Sequence, residues 1–163
     1  MKKVKAFTII ETVIYLGIFA FIFIAVVQFY FTVARGNQLA GERNEIQKAI
    51  IFLDQHMKSS FESSVDVDTL NSTFNNDNGV LSLNTTSGYV EYSVSSNRIL
   101  FDENGTFSDY VTTDDFIITK FYLEEIEDSD SIVVGVKMTL DISSRVLPDT
   151  VTETYVTSYI FLD

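Results

Sequence analysis

Few residues in this sequence have side chains that could carry out chemistry. The 163 residues include one histidine, His56, and no cysteine, so thiol catalysis and Cys-based metal sites are excluded. The sequence contains no His-x-x-x-His pair, phosphate-loop motif or Ser-His-Asp signature. A lone histidine in a helical segment is more often a packing or surface residue than a catalyst. We therefore expect a protein that is not an enzyme, with no catalytic residues and no cofactor.

Acidic residues provide the only other candidate sites. Residues 114–115 and 124–125 are paired acids at the ends of expected strands, where solvated turns commonly carry charge. Residues 66–68 and 77–79 contain oxygen ligands that Ca²⁺ could use, but neither segment matches an EF-hand loop. We assign no metal ligand, and calcium binding by these two loops stays open.

The charge balance of the chain is acidic. The formal net charge is −12 at pH 7, and the one basic cluster consists of Lys2, Lys3 and Lys5. Because phosphate backbones are bound by clustered Lys and Arg, we expect no direct binding of nucleic acid. The length is that of one domain beyond the N-terminal segment.

The N-terminal segment has the pattern of a membrane span. Residues 12–31 form an uncharged run of 20 residues, and a helix rising about 1.5 Å per residue would extend it over roughly 30 Å, the thickness of a bilayer's hydrocarbon core. The lysines before this run and the acidic sequence after it place the N-terminus in the cytoplasm. We therefore expect a single-pass membrane protein whose body lies outside the cytoplasm.

Two simpler interpretations compete with a specialised membrane helix. A cleaved secretory signal has an apolar core of about 7–15 residues, shorter than this run, although residues 32–34 (Thr-Val-Ala) form a passable small-x-small site. A plain signal anchor holding an unrelated domain is the other. Glu11 argues against both, because a carboxylate at the start of an apolar span is costly in lipid and usually has a partner.

The residues around Glu11 resemble a known processing site. The segment KAFTIIET, residues 5–12, is similar to the cleavage site of type IV prepilins, in which a basic leader ends in a small residue, usually Gly, before Phe, with Glu as the fifth residue of the mature chain. The resemblance implies cleavage between Ala6 and Phe7 by the prepilin peptidase and N-methylation of Phe7. The sequence departs from the pattern in having Ala6 where Gly is usual.

In this family, Glu11 would have a role in assembly. A buried carboxylate needs a counter-charge, and in a helical stack the nearest one is the α-amino group of Phe7 in a neighbouring subunit. Such a pair would set the axial register between subunits. The alternative is that Glu11 lies at headgroup level, where the helix dipole favours a carboxylate near the helix N-terminus.

Beyond the membrane span the helical pattern continues. Apolar residues recur at spacings of four, three and four, which places them on one helix face: Ile46, Ile50, Leu53 and Met57. Gly36 and Gly41 weaken the helix between its two halves. Either a kink or melted segment near residues 35–42 or close helix packing at these glycines would explain them.

The sequence predicts a loop at residues 63–79 and strands in the rest of the chain. Short polar turns without intervening helices favour an antiparallel sheet, and the clearest strand alternates apolar residues from Ile132 to Ile142. The strands are predicted at residues 80–83, 89–95, 99–101, 116–123, 132–142 and 152–162. The predicted fold is α+β, with a long N-terminal helix packed on a C-terminal antiparallel sheet.

These elements predict three segments. Residues 1–6 are the leader peptide, residues 7–34 the transmembrane and assembly helix, and residues 35–163 an extracytoplasmic pilin-like domain. In that domain the amphipathic helix continues to about residue 62 and the sheet occupies residues 80–162. The spacing of the later strands resembles the group of pseudopilin J, pilin W and competence pseudopilin F.

Together these resemblances imply a minor pilin or pseudopilin that initiates or caps a type IV pilus, a type II secretion pseudopilus or a DNA-uptake pilus. The sequence leaves the choice among these machines open. The implied partners are the prepilin peptidase, other pilins or pseudopilins through the N-terminal helix, the inner-membrane assembly platform and, before assembly, the bilayer. The implied location is the cell membrane and then a cell-surface or periplasmic fibre. The alternative function is a membrane-anchored extracytoplasmic binding or adhesin domain that does not polymerise.

Overall fold

The computed structural model describes residues 8–161 of the chain. The chain divides into two compact units, one ending at Gly41 and the other beginning at Glu42. Within the described residues, one helix precedes eight strands. They are α1 (Ile9–Ser63), β1 (Ser64–Val67), β2 (Leu81–Thr85), β3 (Gly88–Ser95), β4 (Arg98–Glu103), β5 (Phe107–Tyr110), β6 (Phe116–Glu127), β7 (Val133–Ser144) and β8 (Thr152–Ile160).

The first unit consists of the N-terminal part of α1. Residues 35–42 are helical, so the chain is not melted at Gly36 and Gly41. A Cβ atom added to either glycine would meet no described atom within 4 Å. Neither glycine therefore serves close packing among the described residues.

In the second unit the remainder of α1 packs against the strands. Ile46, Ile50, Leu53 and Met57 are all buried, as their spacing predicts, and Phe61 extends the same buried face by one further turn. These residues cover the inner faces of the sheets. Their burial therefore stabilises the packing of α1 against the sheets.

The strands are all antiparallel to their neighbours but are divided between two sheets. The order is β1-β2-β3-β4-β5 in the first sheet and β6-β7-β8 in the second. The α+β architecture of a long N-terminal helix on antiparallel sheet structure is therefore confirmed, with two sheets in place of one. The outer edge of β6 is bridged to the first sheet and its connections, for example by the Ile118 N–H donating to the Asn97 carbonyl over 2.8 Å.

Several element boundaries differ from the sequence prediction. The predicted loop at residues 63–79 contains β1, which pairs with β2, and the sequence prediction missed the short strand β5. The alternation in β7 buries Val136, Met138, Leu140 and Ile142 completely. Ile132 was predicted to belong to the same face but lies in the turn before β7 and is 60% exposed.

Candidate functional site: the start of α1 and its apolar surface

The first turn of α1 is capped by a threonine. Thr8 precedes the helix, its Oγ1 accepts a hydrogen bond from the Glu11 backbone N–H over 3.3 Å, and its carbonyl accepts from the Thr12 N–H over 3.1 Å. Thr8 therefore occupies the N-cap position and Glu11 the third helical position. This Thr-x-x-Glu spacing is that of a capping box. The capping role of Thr8 was not among the sequence predictions, although the Thr-x-x-Glu spacing is a sufficient signal for it.

Glu11 is the acidic residue of the first helical turn and is half-buried. A carboxylate there interacts favourably with the exposed N–H groups and positive dipole of the helix end, an effect of about 0.3–1 kcal/mol. The position thus agrees with the helix-dipole interpretation of Glu11. A role in register between subunits needs a partner outside this chain and stays a prediction.

The predicted processing residues lie next to this turn. Ala6 and Phe7, the predicted cleavage and N-methylation positions, and the rest of residues 1–6 lie outside the described residues. Cleavage and methylation therefore stay predictions.

The surface of α1 that follows Glu11 is apolar on all sides. Of its most apolar 18-residue stretch, no part is buried. Leu16, Phe19 and Phe21, for example, are exposed by 68–75%, and Phe19 stacks on Phe23 with ring centroids 6.4 Å apart. Soluble monomers rarely expose apolar patches of more than a few hundred Å². The helix is long and apolar enough to cross a membrane.

Two threonine hydroxyl groups in this helix, those of Thr12 and Thr32, donate to backbone carbonyls one turn earlier. The Thr12 Oγ1 donates to the Thr8 carbonyl over 3.3 Å, and the Thr32 Oγ1 donates to the Gln28 carbonyl over 3.0 Å. These bonds to the preceding turn let threonine reside in an apolar environment without an unsatisfied donor.

In the second unit, His56 is part of a hydrogen-bonded cluster between α1 and β3. Its Nδ1 lies 2.6 Å from the Tyr92 Oη, which is also 2.7 Å from the Ser60 Oγ. The Phe101 ring packs edge-on to His56 with centroids 4.8 Å apart. Burial lowers the pKa of His56 and raises that of Tyr92. The cluster joins the helix to the first sheet through groups that satisfy one another.

The acidic residues considered for metal binding have partners within the protein. The Asp68 carboxylate accepts hydrogen bonds from the Leu70 and Asn71 backbone N–H groups and from the Asn71 side chain, and the last of these contributes most to lowering the Asp68 pKa. Asp77 lies 3.4 Å from the Lys120 Nζ. Among residues 8–161, no group of three or more His, Asp or Glu side chains is placed to hold a metal ion.

One acidic residue of each pair, at residues 114–115 and 124–125, forms an ion pair with a basic residue on β7 or next to its end. Asp114 pairs with Arg145 over 3.1 Å, and Glu124 on β6 pairs with Lys137 on β7 over 2.5 Å. Both pairs are substantially exposed, as is usual for charged residues at strand surfaces.

Comparison of this chain with protein-family models, with characterised proteins and with solved structures found no match.

Proposed function

We propose that this protein is a minor pilin or pseudopilin, a structural subunit that initiates or caps a type IV pilus-like fibre. The observation that carries the proposal is an apolar helix exposed on all sides whose first turn holds a carboxylate. Lipid would cover this surface before assembly, and the equivalent helices of other subunits would cover it in the fibre.

The carboxylate distinguishes this role from simple anchoring. An anchor needs only apolar length, which residues 12–31 supply without Glu11. Once subunits stack and exclude water, a charged Glu11 needs a counter-charge, and the α-amino group of a neighbouring subunit's Phe7 would provide it. The Thr8 cap supports this arrangement because it orders the turn that presents Glu11.

A subunit of this kind is inserted in the membrane, processed and then added to the fibre. Lys2, Lys3 and Lys5 keep the N-terminus in the cytoplasm, the prepilin peptidase cleaves between Ala6 and Phe7, and Phe7 is N-methylated. The subunit then waits in the membrane with its body outside and is added to the fibre by the inner-membrane assembly platform. The fibre is a pilus, a secretion pseudopilus or a DNA-uptake pilus.

Intact mass of the protein purified from its host membrane tests the processing. We expect the mass of a chain that begins at methylated Phe7. A chain that retains the leader from Met1 would contradict the proposal and would favour the alternative of an anchored binding domain.

Fibre incorporation tests Glu11, with a matched variant at the cap. Glu11→Gln keeps the size of the side chain and should remain in the membrane while its incorporation into fibres falls at least about tenfold, a loss of 1.4 kcal/mol or more in assembly free energy. Thr8→Ala removes the cap, at a cost of about 1 kcal/mol to the helix end, and keeps the carboxylate, so incorporation should be largely retained. Equal loss in both variants would assign Glu11 to helix capping, and normal incorporation of Glu11→Gln would refute the register role.

A further inference from the structure

The outer edge of β8 is unpaired among the described residues. The Phe161 N–H donates to the Val134 carbonyl over 2.9 Å, and the Ser144 N–H donates to the Val151 carbonyl over 3.0 Å. The register between β7 and β8 has no shift, so these two bonds fix which residues of β8 face β7. The alternate residues direct their N–H and C=O groups outward: Thr152, Thr154, Val156, Ser158 and Ile160. All five are exposed.

The other sheet edges are protected. The outer edge of β6 is occupied near its middle, where the Phe121 N–H donates to the Asp77 carbonyl and the Gly79 N–H donates to the Phe121 carbonyl, both over 2.7 Å. β1 has four residues and a register shift after Ser64. β5 also has four residues. The Tyr110 N–H points outward from β5 and donates a hydrogen bond to the Asp109 carboxylate over 2.7 Å, so it is not free to pair with another strand.

β8 has none of these protective features. It has nine residues, no Pro, no Lys or Arg, no bulge, and one charged side chain, Glu153. Short length, positive charge, proline and bulges are the means by which edge strands usually avoid pairing with other chains. A long, regular and open edge is a template for strand addition.

A groove lies beside this edge, between β8 and α1. It has a volume of about 540 Å³. Phe61 of α1 stacks on Tyr159 of β8 with ring centroids 4.8 Å apart, and both rings line the groove. Asp54, whose carboxylate accepts a hydrogen bond from the Tyr159 hydroxyl over 2.8 Å, and Glu62 also line it, with Lys58 between them on the helix. A strand added to β8 would point every second side chain toward this groove.

We infer that β8 is a docking edge for an extended segment of a different protein, which carries Lys or Arg and large apolar side chains on alternate positions. The apolar side chains match Phe61 and Tyr159, and the basic ones match the two carboxylates of the groove. A second copy of this chain is disfavoured because it would bring a net charge of −12 against an equal charge. The inference rests on β8 and its groove and does not depend on fibre assembly.

Amide hydrogen exchange of the full chain in phospholipid nanodiscs tests this docking edge. The probe is a synthetic peptide as long as β8 in which threonine alternates with lysine and phenylalanine. At a peptide concentration about ten times its Kd, we expect exchange of the outward amides of Thr154, Val156 and Ser158 to slow about tenfold. Absence of any slowing at these amides would overturn the inference.

Two matched substitutions separate edge pairing from nonspecific binding. Ser158→Pro removes an outward N–H that makes no bond to β7 and should abolish the protection at β8. Ser108→Pro removes the corresponding outward N–H of β5 and should leave the protection at β8 intact. Equal effects of both variants would overturn the inference.

Two further peptides keep the test valid should Ser158→Pro not fold. A peptide N-methylated at the amides that face β8 keeps its side chains but should give no protection. A peptide with glutamate in place of lysine should bind at least tenfold more weakly, and equal binding would overturn the assigned charge of the partner. Protection without peptide that increases with protein concentration would identify a second copy as the occupant and overturn the inference.

Discussion

Tyr92→Phe removes one hydroxyl from the interface between α1 and the first sheet and leaves the ring in place. Tyr92 is fully buried, and its hydroxyl is the shared partner of the His56 Nδ1 at 2.6 Å and the Ser60 Oγ at 2.7 Å. Its ring is tilted against the Phe101 ring, with centroids 5.3 Å apart, and the substitution leaves this contact in place. The substitution therefore isolates the polar part of the cluster.

The expected cost follows from what the two partners can do afterwards. A buried polar group left without a partner costs about 1–3 kcal/mol. Ser60 is 9% exposed, so water has little access to its hydroxyl. His56 is only half-buried, and its ring can form a hydrogen bond with water instead. We therefore expect the free energy of unfolding to fall by about 1–3 kcal/mol, the cost of one unsatisfied group. A cost near zero would mean that the hydroxyl contributes nothing to the interface.

Urea unfolding of the full chain in nanodiscs, followed by near-UV circular dichroism, measures this loss. Tyr122→Phe is the matched control, because its hydroxyl donates to the Asn75 side chain over 3.3 Å at an exposed site. The control should change the free energy of unfolding by less than about 0.5 kcal/mol. Equal losses in the two variants would refute the reasoning.

The same cluster predicts a dependence of stability on pH. Burial lowers the pKa of His56 in the folded state relative to about 6.5 in the unfolded state. Between these two values the unfolded chain binds more protons, so stability is fully present above about pH 6.5 and falls as the pH drops toward the folded-state pKa. His56 is the only histidine, and His56→Gln should remove this step. Retention of the step in His56→Gln would contradict its assignment.

Three further substitutions test the second sheet by the same unfolding measurement. Leu140→Ala should lower the free energy of unfolding by about 2–5 kcal/mol, because Leu140 is fully buried at the centre of β7. Gly135→Ala should lower it by about 1–3 kcal/mol, because the new Cβ would collide with the Tyr159 carbonyl of β8; an unchanged value would show that the two strands separate there without cost. Lys137→Ala breaks the pair with Glu124, whose side chain is 40% exposed, and should cost less than about 1 kcal/mol, an amount that shrinks further in high salt.

The parts of the fold that depend on local pattern are predictable from the sequence. The buried face of α1 follows from the spacing of Ile46, Ile50, Leu53 and Met57, since only one helix face packs against the sheets. The core face of β7 follows from strict alternation, which has a single register that buries the apolar side. Ile132 continues the alternation by residue type but lies before the strand begins, because Asp128 forms the turn there by accepting the Ile132 N–H over 3.0 Å.

The division into two sheets depends on contacts between distant residues. The bridge between Asn78 and Phe121 and the bond from Ile118 to Asn97 cover the outer edge of β6 with loops and turns. A single sheet would place another strand at that edge. Hydrophobic period does not encode which strand pairs with which, so this division was not visible in the sequence. β1 was missed for a related reason, because its four residues become a strand only through pairing with β2.

At the start of α1, the residue types indicated a role for Glu11 but not for Thr8. A carboxylate before an apolar run attracts attention because of its cost in lipid, whereas Thr8 is an ordinary polar residue by type. The structure shows that Thr8 and Glu11 belong to one capping arrangement. Any function of the Glu11 charge in assembly is therefore exerted from a helix end that Thr8 already stabilises, and the two contributions can be separated only by substituting each residue alone.

The sequence of β8 bears both on its recognition as a strand and on the lack of protection at its outer edge. Residues 152–160 consist mainly of threonine, tyrosine, valine and isoleucine, which favour a strand, and contain no proline or lysine. The absence of proline and lysine, together with the absence of a bulge in the pairing with β7, leaves the edge unprotected. In an interior strand the same sequence would carry no consequence, because both sides would be paired. What the structure adds is the position of β8 at the end of the order β6-β7-β8, beside a groove whose carboxylates Asp54 and Glu62 lie on α1. Strand sequence and sheet order together therefore identify a binding edge that neither identifies alone.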